Sequence, residues 1–214
     1  MNSEVNAKYI YLYRHGETDW NINGITMGQL EGIKTEFTQV GYQDIFDISE
    51  SLKKNKVEVI YSSDFNRTVD TANLANCKNG LPIIITKGAR GLNMGKYQGL
   101  DFQKFIKSEE VKRSFENYDI PFPGGESINQ LNNRLYNFIV EICNQTSYER
   151  IAIVTHSAAI SNLKAFISKE KYISLKMCSL IYKDKKLIVF DYTPVNSEIK
   201  NKQKVLVGVK NETL

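Results

Sequence analysis

Two histidines occur in the 214-residue chain, and each stands just beyond an apolar run rich in β-branched and aromatic residues. Tyr9-Ile10-Tyr11-Leu12-Tyr13 leads into Arg14-His15-Gly16-Glu17-Thr18, and Ile151-Ala152-Ile153-Val154-Thr155 leads into His156-Ser157. Ligands of open α/β sheets collect outside the carboxyl ends of the strands, so histidines at two such ends imply one site assembled from distant segments. Arg14 adjoins the first histidine. A second arginine, Arg67, follows a strand-like run in Tyr61-Ser62-Ser63-Asp64-Phe65-Asn66-Arg67. Guanidinium forks reach two oxygens of a tetrahedral oxyanion at once, which points to a phosphoryl ligand. His156 and Ser157 also precede a helix-like stretch, Ala158 to Ile167, whose N-terminal amides and dipole favour an anion.

Other chemistries lack their signatures. There is no G-x-x-x-x-G-K-[ST], no G-x-G-x-x-G after a strand, no H-E-x-x-H and no G-x-S-x-G. Two histidines without a clustered carboxylate make a poor metal shell, so neither a metal nor a cofactor is expected. Cys77, Cys143 and Cys178 are odd in number, far apart and without C-x-x-C spacing, which reads as packed thiols rather than a disulfide framework. Lys and Arg total 28 against 24 Asp and Glu, a net charge of +4, and the lysines are scattered. That pattern fits a small phosphorylated substrate, or phosphate itself, better than nucleic acid. The polar segment Met1 to Lys8 has no apolar h-region and no run of 18 apolar residues occurs, so a cytoplasmic protein without membrane association is expected.

These residues must be positioned by alternating strands and helices. Strands are predicted at Tyr9 to Tyr13, Val57 to Tyr61, Leu81 to Ile85 and Ile151 to Thr155, with a late pair near Ser179 to Tyr182 and Leu187 to Tyr192. A helix begins after Ser127, where Ser-x-x-Gln to Gln130 makes a capping box, and its core stripe is Ile128, Leu131, Leu135, Phe138, Ile139 and Ile142. Strand then helix in alternation implies an α/β three-layer sandwich with a mostly parallel sheet flanked by helices. The chain reads as one domain, 1–214, with a small helical cap insertion at about 100–122 and a polar C-terminal extension at about 195–214, in which Val205 to Val209 could add an edge strand. A homodimer is compatible with this reading.

From Tyr9 to about Tyr192 the chain resembles the histidine phosphatase superfamily, which includes the phosphoglycerate mutases. The resemblance rests on Arg14-His15-Gly16-Glu17-Thr18-x-x-Asn21, Phe37-Thr38-x-x-Gly41, Ser62-Ser63-Asp64-x-x-Arg67-Thr68, Asn93-Met94-Gly95-Lys96-Tyr97-Gln98-Gly99, Pro123-Gly124-Gly125-Glu126-Ser127 and Val154-Thr155-His156-Ser157. It implies a phosphoglycerate mutase-like fold and phosphoryl transfer through His15 as nucleophile, with Arg14, Arg67 and His156 holding the phosphoryl oxygens. Arginines beside His15 disfavour its protonated form and leave a ring lone pair for attack. By the same resemblance Asn21 is a further phosphate donor and Glu17 a loop-orienting residue. Ser157-Ala158 replaces the usual Gly-Gly after the second histidine, a change expected to narrow the pocket beside Ser157.

One departure bears on mechanism. Two residues before Asn93 the family carries a glutamate that protonates the leaving oxygen, and this chain has Gly91. Three readings stay open. Another acid serves, Glu126 first and Asp101 second, with loop anchoring as the rival role for Glu126. Alternatively the leaving group needs little proton assistance, or the pocket binds phosphate without phosphatase turnover or runs a different reaction. If the missing carboxylate limits proton donation, Gly91→Glu would restore poor leaving groups most, provided the side chain fits. The expected function is a phosphatase acting on a small phosphorylated metabolite. A phosphoglycerate-type mutase is the less favoured alternative, because the cap stretch Leu100 to Ile120 contains only Arg113 beside Lys104, Lys107 and Lys112.

Overall fold

The computed structural model describes residues 7–30, 32 and 34–194. In chain order, strand β1 (Lys8–Arg14) precedes a single helical turn α1 (Asp19–Ile22) and the longer helix α2 (Gln39–Lys54). Strand β2 (Val59–Ser63), helix α3 (Asn66–Asn76) and strand β3 (Ile83–Thr86) follow. Short helices α4 (Phe102–Lys107) and α5 (Glu109–Glu116) form the cap, and α6 (Ile128–Gln145) begins at the Ser127 capping box. Strand β4 (Arg150–Thr155), helix α7 (Ser157–Ser168) and the hairpin of β5 (Leu175–Lys183) with β6 (Lys186–Pro194) complete the described chain. The expected strand in Val205 to Val209 and the polar extension lie outside the described residues.

The strands form one sheet in the order β3-β2-β4-β1-β5-β6. β3, β2, β4 and β1 are mutually parallel, while β5 runs antiparallel to β1 and β6 antiparallel to β5. The strand–helix alternation therefore describes the first four strands and not the last two. Their tight turn places Asp184 and Lys185 at φ 51° and 61°, the doubly left-handed geometry that hairpins usually mark with Asn-Gly or Asp-Gly. With Lys185 in the glycine position, the sequence does not announce it.

Side-chain alternation sends each strand into two cores. Ile10, Leu12, Val59, Ile151 and Ile153 pack with Leu131, Leu135 and Ile139 of α6 and with Ile160 and Leu163 of α7. Tyr11, Tyr13, Ile60, Ala152 and Val154 pack on the other face with Ile45, Ile48 and Leu52 of α2 and Ala72 and Ala75 of α3. A sheet covered on both faces by helices is the expected three-layer α/β sandwich. Among the described residues no helix is long and apolar enough to cross a membrane.

Candidate active site

Strand register assembles the site. β1 pairs with β4 so that Arg14 lies opposite Thr155, and the next residue of each strand is a histidine. The backbone N–H of His15 donates to the Thr155 carbonyl at 3.0 Å, and the two rings meet edge to face with centroids 5.4 Å apart. β2 pairs Ser62 with Val154, which ends Ser63 level with Thr155 and starts α3 beside His156. Arg67 in the first turn of α3 then brings a terminal guanidinium nitrogen to 3.3 Å from His156 Nδ1 and 2.8 Å from the Gly28 carbonyl. Arg14, His15, Arg67 and His156 all line one cavity of about 390 Å³ at the carboxyl ends of the parallel strands.

The loop after His15 is fixed from α2. The Thr38 hydroxyl caps that helix by accepting from the Gly41 N–H at 3.0 Å, and it donates to Glu17 Oε1 at 2.9 Å. Gly41 sits so close that a Cβ there would lie 2.1 Å from the Glu17 carbonyl oxygen, which is why this position admits only glycine. Glu17 thus has the loop-orienting contacts that the resemblance implied.

Both imidazoles are held neutral. Burial, reinforced by Arg67 and Arg14, holds His15 well below the ordinary histidine range. Burial and then Arg67 and His15 do the same to His156. Arginine stays charged: burial lowers Arg67 only to about 10, while Asp44 and Glu17 oppose the burial that lowers Arg14. Hydrogen bonds fix the tautomers. His15 Nδ1 lies 2.8 Å from the Gly16 carbonyl, which can only accept, so Nδ1 carries the proton and Nε2 the lone pair. His156 Nδ1 faces Arg67, which can only donate, so its proton sits on Nε2 and goes to Ser63 Oγ at 3.0 Å. Ser63 then donates to Thr68 Oγ1 at 2.7 Å, and Thr68 donates to the Phe65 carbonyl at 2.7 Å. Arg67 Nε is buried and has no partner among the described residues, a guanidinium donor free for an oxyanion.

The other expected site residues divide. Asn21 and Ser157 line the cavity. Asn21 Oδ1 accepts from the Thr18 N–H at 3.0 Å, leaving its amide protons as the donors it offers. Ser157 Oγ is 3.0 Å from both Ser174 Oγ and the Leu175 carbonyl, so its hydroxyl is engaged with the chain. Glu126 does not line the cavity. Its Oε1 accepts from Arg134 at 2.8 Å and from the Asn93 N–H at 2.9 Å, the contacts of the loop anchor that was the rival role, rather than those of an acid or substrate-binding residue facing the cavity. Asp101, the second choice, does line the cavity.

Gly91 also lines the cavity, with its backbone against the His156 ring. A Cβ built on it would lie 2.9 Å from His156 Cγ and 3.0 Å from His156 Cβ, closer than side chains pack. The root of the imidazole cannot swing aside as a flexible tip would, so Gly91→Glu would displace His156 rather than simply add a carboxylate. The condition on which glutamate would restore poor leaving groups, that its side chain fits, is not met with His156 where it stands.

Sequence reasoning assigned no role to Ser63, Thr68 or Arg134. The hydroxyls fall inside a motif quoted for the resemblance, without a role of their own. Arg134, between Asn133 and Leu135 on α6, falls in no motif, yet it donates to the carbonyls of Gly88, Arg90 and Gly91 and so pins the segment behind His156. Ser63→Ala would leave the His156 Nε2 proton without its acceptor. An unsatisfied buried donor costs roughly 1–3 kcal/mol, and a fall of about 10-fold in kcat/KM with a displaced acid limb of the pH profile is expected. Unchanged steady-state kinetics across pH would exclude this positioning role.

The neutral pair also predicts acid sensitivity. Above about pH 6.5 both histidines are neutral in the folded and unfolded states and contribute no pH dependence. Below it the unfolded chain takes up protons that the folded site refuses, so stability falls by about 2.7 kcal/mol per pH unit for two such groups until the depressed folded-state values are reached. Calorimetry at pH 7.5, 6.0 and 5.0 should show this drop, and substitution of either histidine by alanine should lessen it.

Among the described residues, no group of three or more His, Cys, Asp or Glu side chains is placed to hold a metal ion. The model of the histidine phosphatase superfamily (branch 1) matches residues 10–200. The chain is 30% identical over 206 residues to the metal-independent phosphoserine phosphatase of Arabidopsis thaliana, covering 92% of this chain and 84% of that one. It is 33% identical over 168 residues to phosphoglycerate mutase-like protein 4 of the same plant, covering 76% and 72%. The fold superposes on mycobacterial glucosyl-3-phosphoglycerate phosphatase in complex with VO3 with a TM-score of 0.72 at 22% identity, covering 88% of this chain and 100% of that one. With this match over most of its length, the chain belongs to the histidine phosphatase superfamily, branch 1, and is a hydrolase of the phosphatase type.

Proposed function

We propose that the protein hydrolyses phosphate monoesters of a small metabolite through a phosphohistidine on Nε2 of His15, without a glutamate at the usual acid position. The observation that carries this reading is the convergence of two buried, neutral histidines and two buried arginines on one cavity at the strand ends. His15 Nε2 attacks phosphorus with its lone pair, and the leaving oxygen departs with the electron pair of the broken P–O bond and takes its proton from solvent. Arg14 and Arg67 hold the phosphoryl oxygens, with the unpaired Arg67 Nε as one donor. When the dianion draws Arg67 away, His156 takes a proton from solvent at Nδ1 and presents a cationic N–H to the transferring group, its charge favoured by the dianion. Asn21 supplies a further amide donor. Water then attacks the phosphohistidine, releasing phosphate and restoring the lone pair. Similarity to a phosphoserine phosphatase over 92% of the chain supports a small-metabolite substrate.

The leaving oxygen departs without the family's carboxylic acid. Gly91 provides none, Glu126 is tied to Arg134, and Asp101 is the carboxylate that the cavity contains. The test is to trap the intermediate. Incubation with p-nitrophenyl phosphate or acetyl phosphate and rapid quenching should give one phosphoryl group per chain on His15, labile to acid and stable to base. A base-labile, acid-stable ester would place the nucleophile on a hydroxyl and overturn the mechanism.

A further inference from the structure

Away from the histidines the cavity changes character. Leu92, Met94, Phe102, Phe105, Phe115 and Ile128 line it, and the phenylalanines belong to an edge-to-face cluster in which Phe105 and Phe115 have centroids 5.9 Å apart. Several polar groups of the wall are already occupied: the Thr26 hydroxyl donates to the Tyr97 carbonyl at 2.8 Å, and the Asn162 amide donates to the Ala158 carbonyl at 2.8 Å. Arg14 and Arg67, at the phosphate end, are the only lysine or arginine side chains among the described residues that line the cavity. The cap lysines Lys104, Lys107 and Lys112 point to solvent. Among the described residues the one other charged residue of the wall is Asp101, which caps α4 by accepting from the N–H groups of Gln103 and Lys104.

We infer that this end of the cavity selects phosphate esters of an uncharged, apolar hydroxyl compound of about aromatic size, and rejects esters whose alcohol carries a second anion. The inference rests on the phosphatase reading and adds its substrate class. An anionic group would leave water for a largely apolar wall that, among the described residues, offers no lysine or arginine away from the phosphate end and carries the like charge of Asp101. An aromatic body would instead bury its faces against the phenylalanines. The same preference suits the missing acid, because phenolic oxygens leave without prior protonation.

Two aryl esters separate binding from leaving-group chemistry. The phenoxide of 4-carboxyphenyl phosphate is the less basic leaving group, so chemistry alone favours it over 4-methylphenyl phosphate. The wall predicts the opposite order, with kcat/KM higher for the methyl compound by about 10-fold or more, as expected when one partner strands a charge in an apolar pocket. Asp101→Asn, which keeps the helix cap, should narrow that ratio, and Gln103→Lys, which adds a cation to the wall, should narrow it further or reverse it. Equal turnover of the two esters, or a ratio that neither variant moves, would overturn the inference while leaving the phosphatase standing. No turnover of either ester together with no label on His15 would overturn both.

Discussion

Replacing His15 with alanine is expected to lower kcat/KM for p-nitrophenyl phosphate by at least about 10⁴-fold and to abolish phosphoryl labelling, because the lone pair on Nε2 is the group that attacks phosphorus. The effect should lie in catalysis and not in folding. The ring is buried, 4% exposed, and makes one hydrogen bond to the carbonyl next to it, so few contacts depend on it. The variant should also still bind inorganic phosphate or vanadate through Arg14 and Arg67. Retained affinity with absent turnover would separate the pocket from the nucleophile. Equal labelling of the variant would move the nucleophile elsewhere and end the proposal.

The second large effect concerns the leaving group. Without a protein acid, an alkoxide must leave almost unprotonated, and the loss relative to an assisted reaction is about 10²- to 10⁴-fold. Activity across a series of esters of comparable bulk is expected to climb steeply as leaving-group basicity falls, with p-nitrophenyl phosphate far ahead of an alkyl phosphate. A flat series would show that a carboxylic acid is present, and Asp101→Asn would then be the first variant to measure, since Asp101 lines the cavity and Glu126 does not. Gly91→Glu gives a sharper contrast. Because its Cβ would press on the His156 ring, it should depress p-nitrophenyl phosphate turnover instead of raising alkyl phosphate turnover. Crystallography of that variant would show whether His156 moved.

The phosphate end was legible because its residues stand at strand ends, where periodicity and chemistry coincide: an apolar run stopping at Arg14-His15 or at Thr155-His156 predicts both the strand and the place where the side chain emerges. Helix α6 was legible for a similar reason, since Ser127, Gln130 and the stripe from Ile128 to Ile142 each follow from local spacing. The two strands of the late pair were legible but their antiparallel direction was not, because the turn lacks glycine at Lys185 and orientation is decided by pairing across the sheet. The choice between the two roles of Glu126 was not legible for a comparable reason. A loop carboxylate looks the same in sequence whether it faces a substrate or a half-buried Arg134 eight residues along the chain. The obstruction behind Gly91 is a contact between segments 65 residues apart, and no local pattern records it.

The opposition of Arg14 and Thr155 across two strands also sets which genetic changes this enzyme can survive. A strand shifted by one residue turns every side chain to the other face, so a single-residue insertion or deletion within β1 or β4 would send one histidine away from its partner while leaving composition and motif almost intact. Length changes in the connections between α4, α5 and α6 act differently, because closing a longer surface loop adds little entropy cost and leaves the paired strands in place. Diversification in this chain is therefore channelled. The cap can lengthen, shorten and change its lining while the spacing from Tyr9 to His15 and from Ile151 to His156 stays fixed, so new specificities can arise in the cap without disturbing the paired strands that hold the reacting groups.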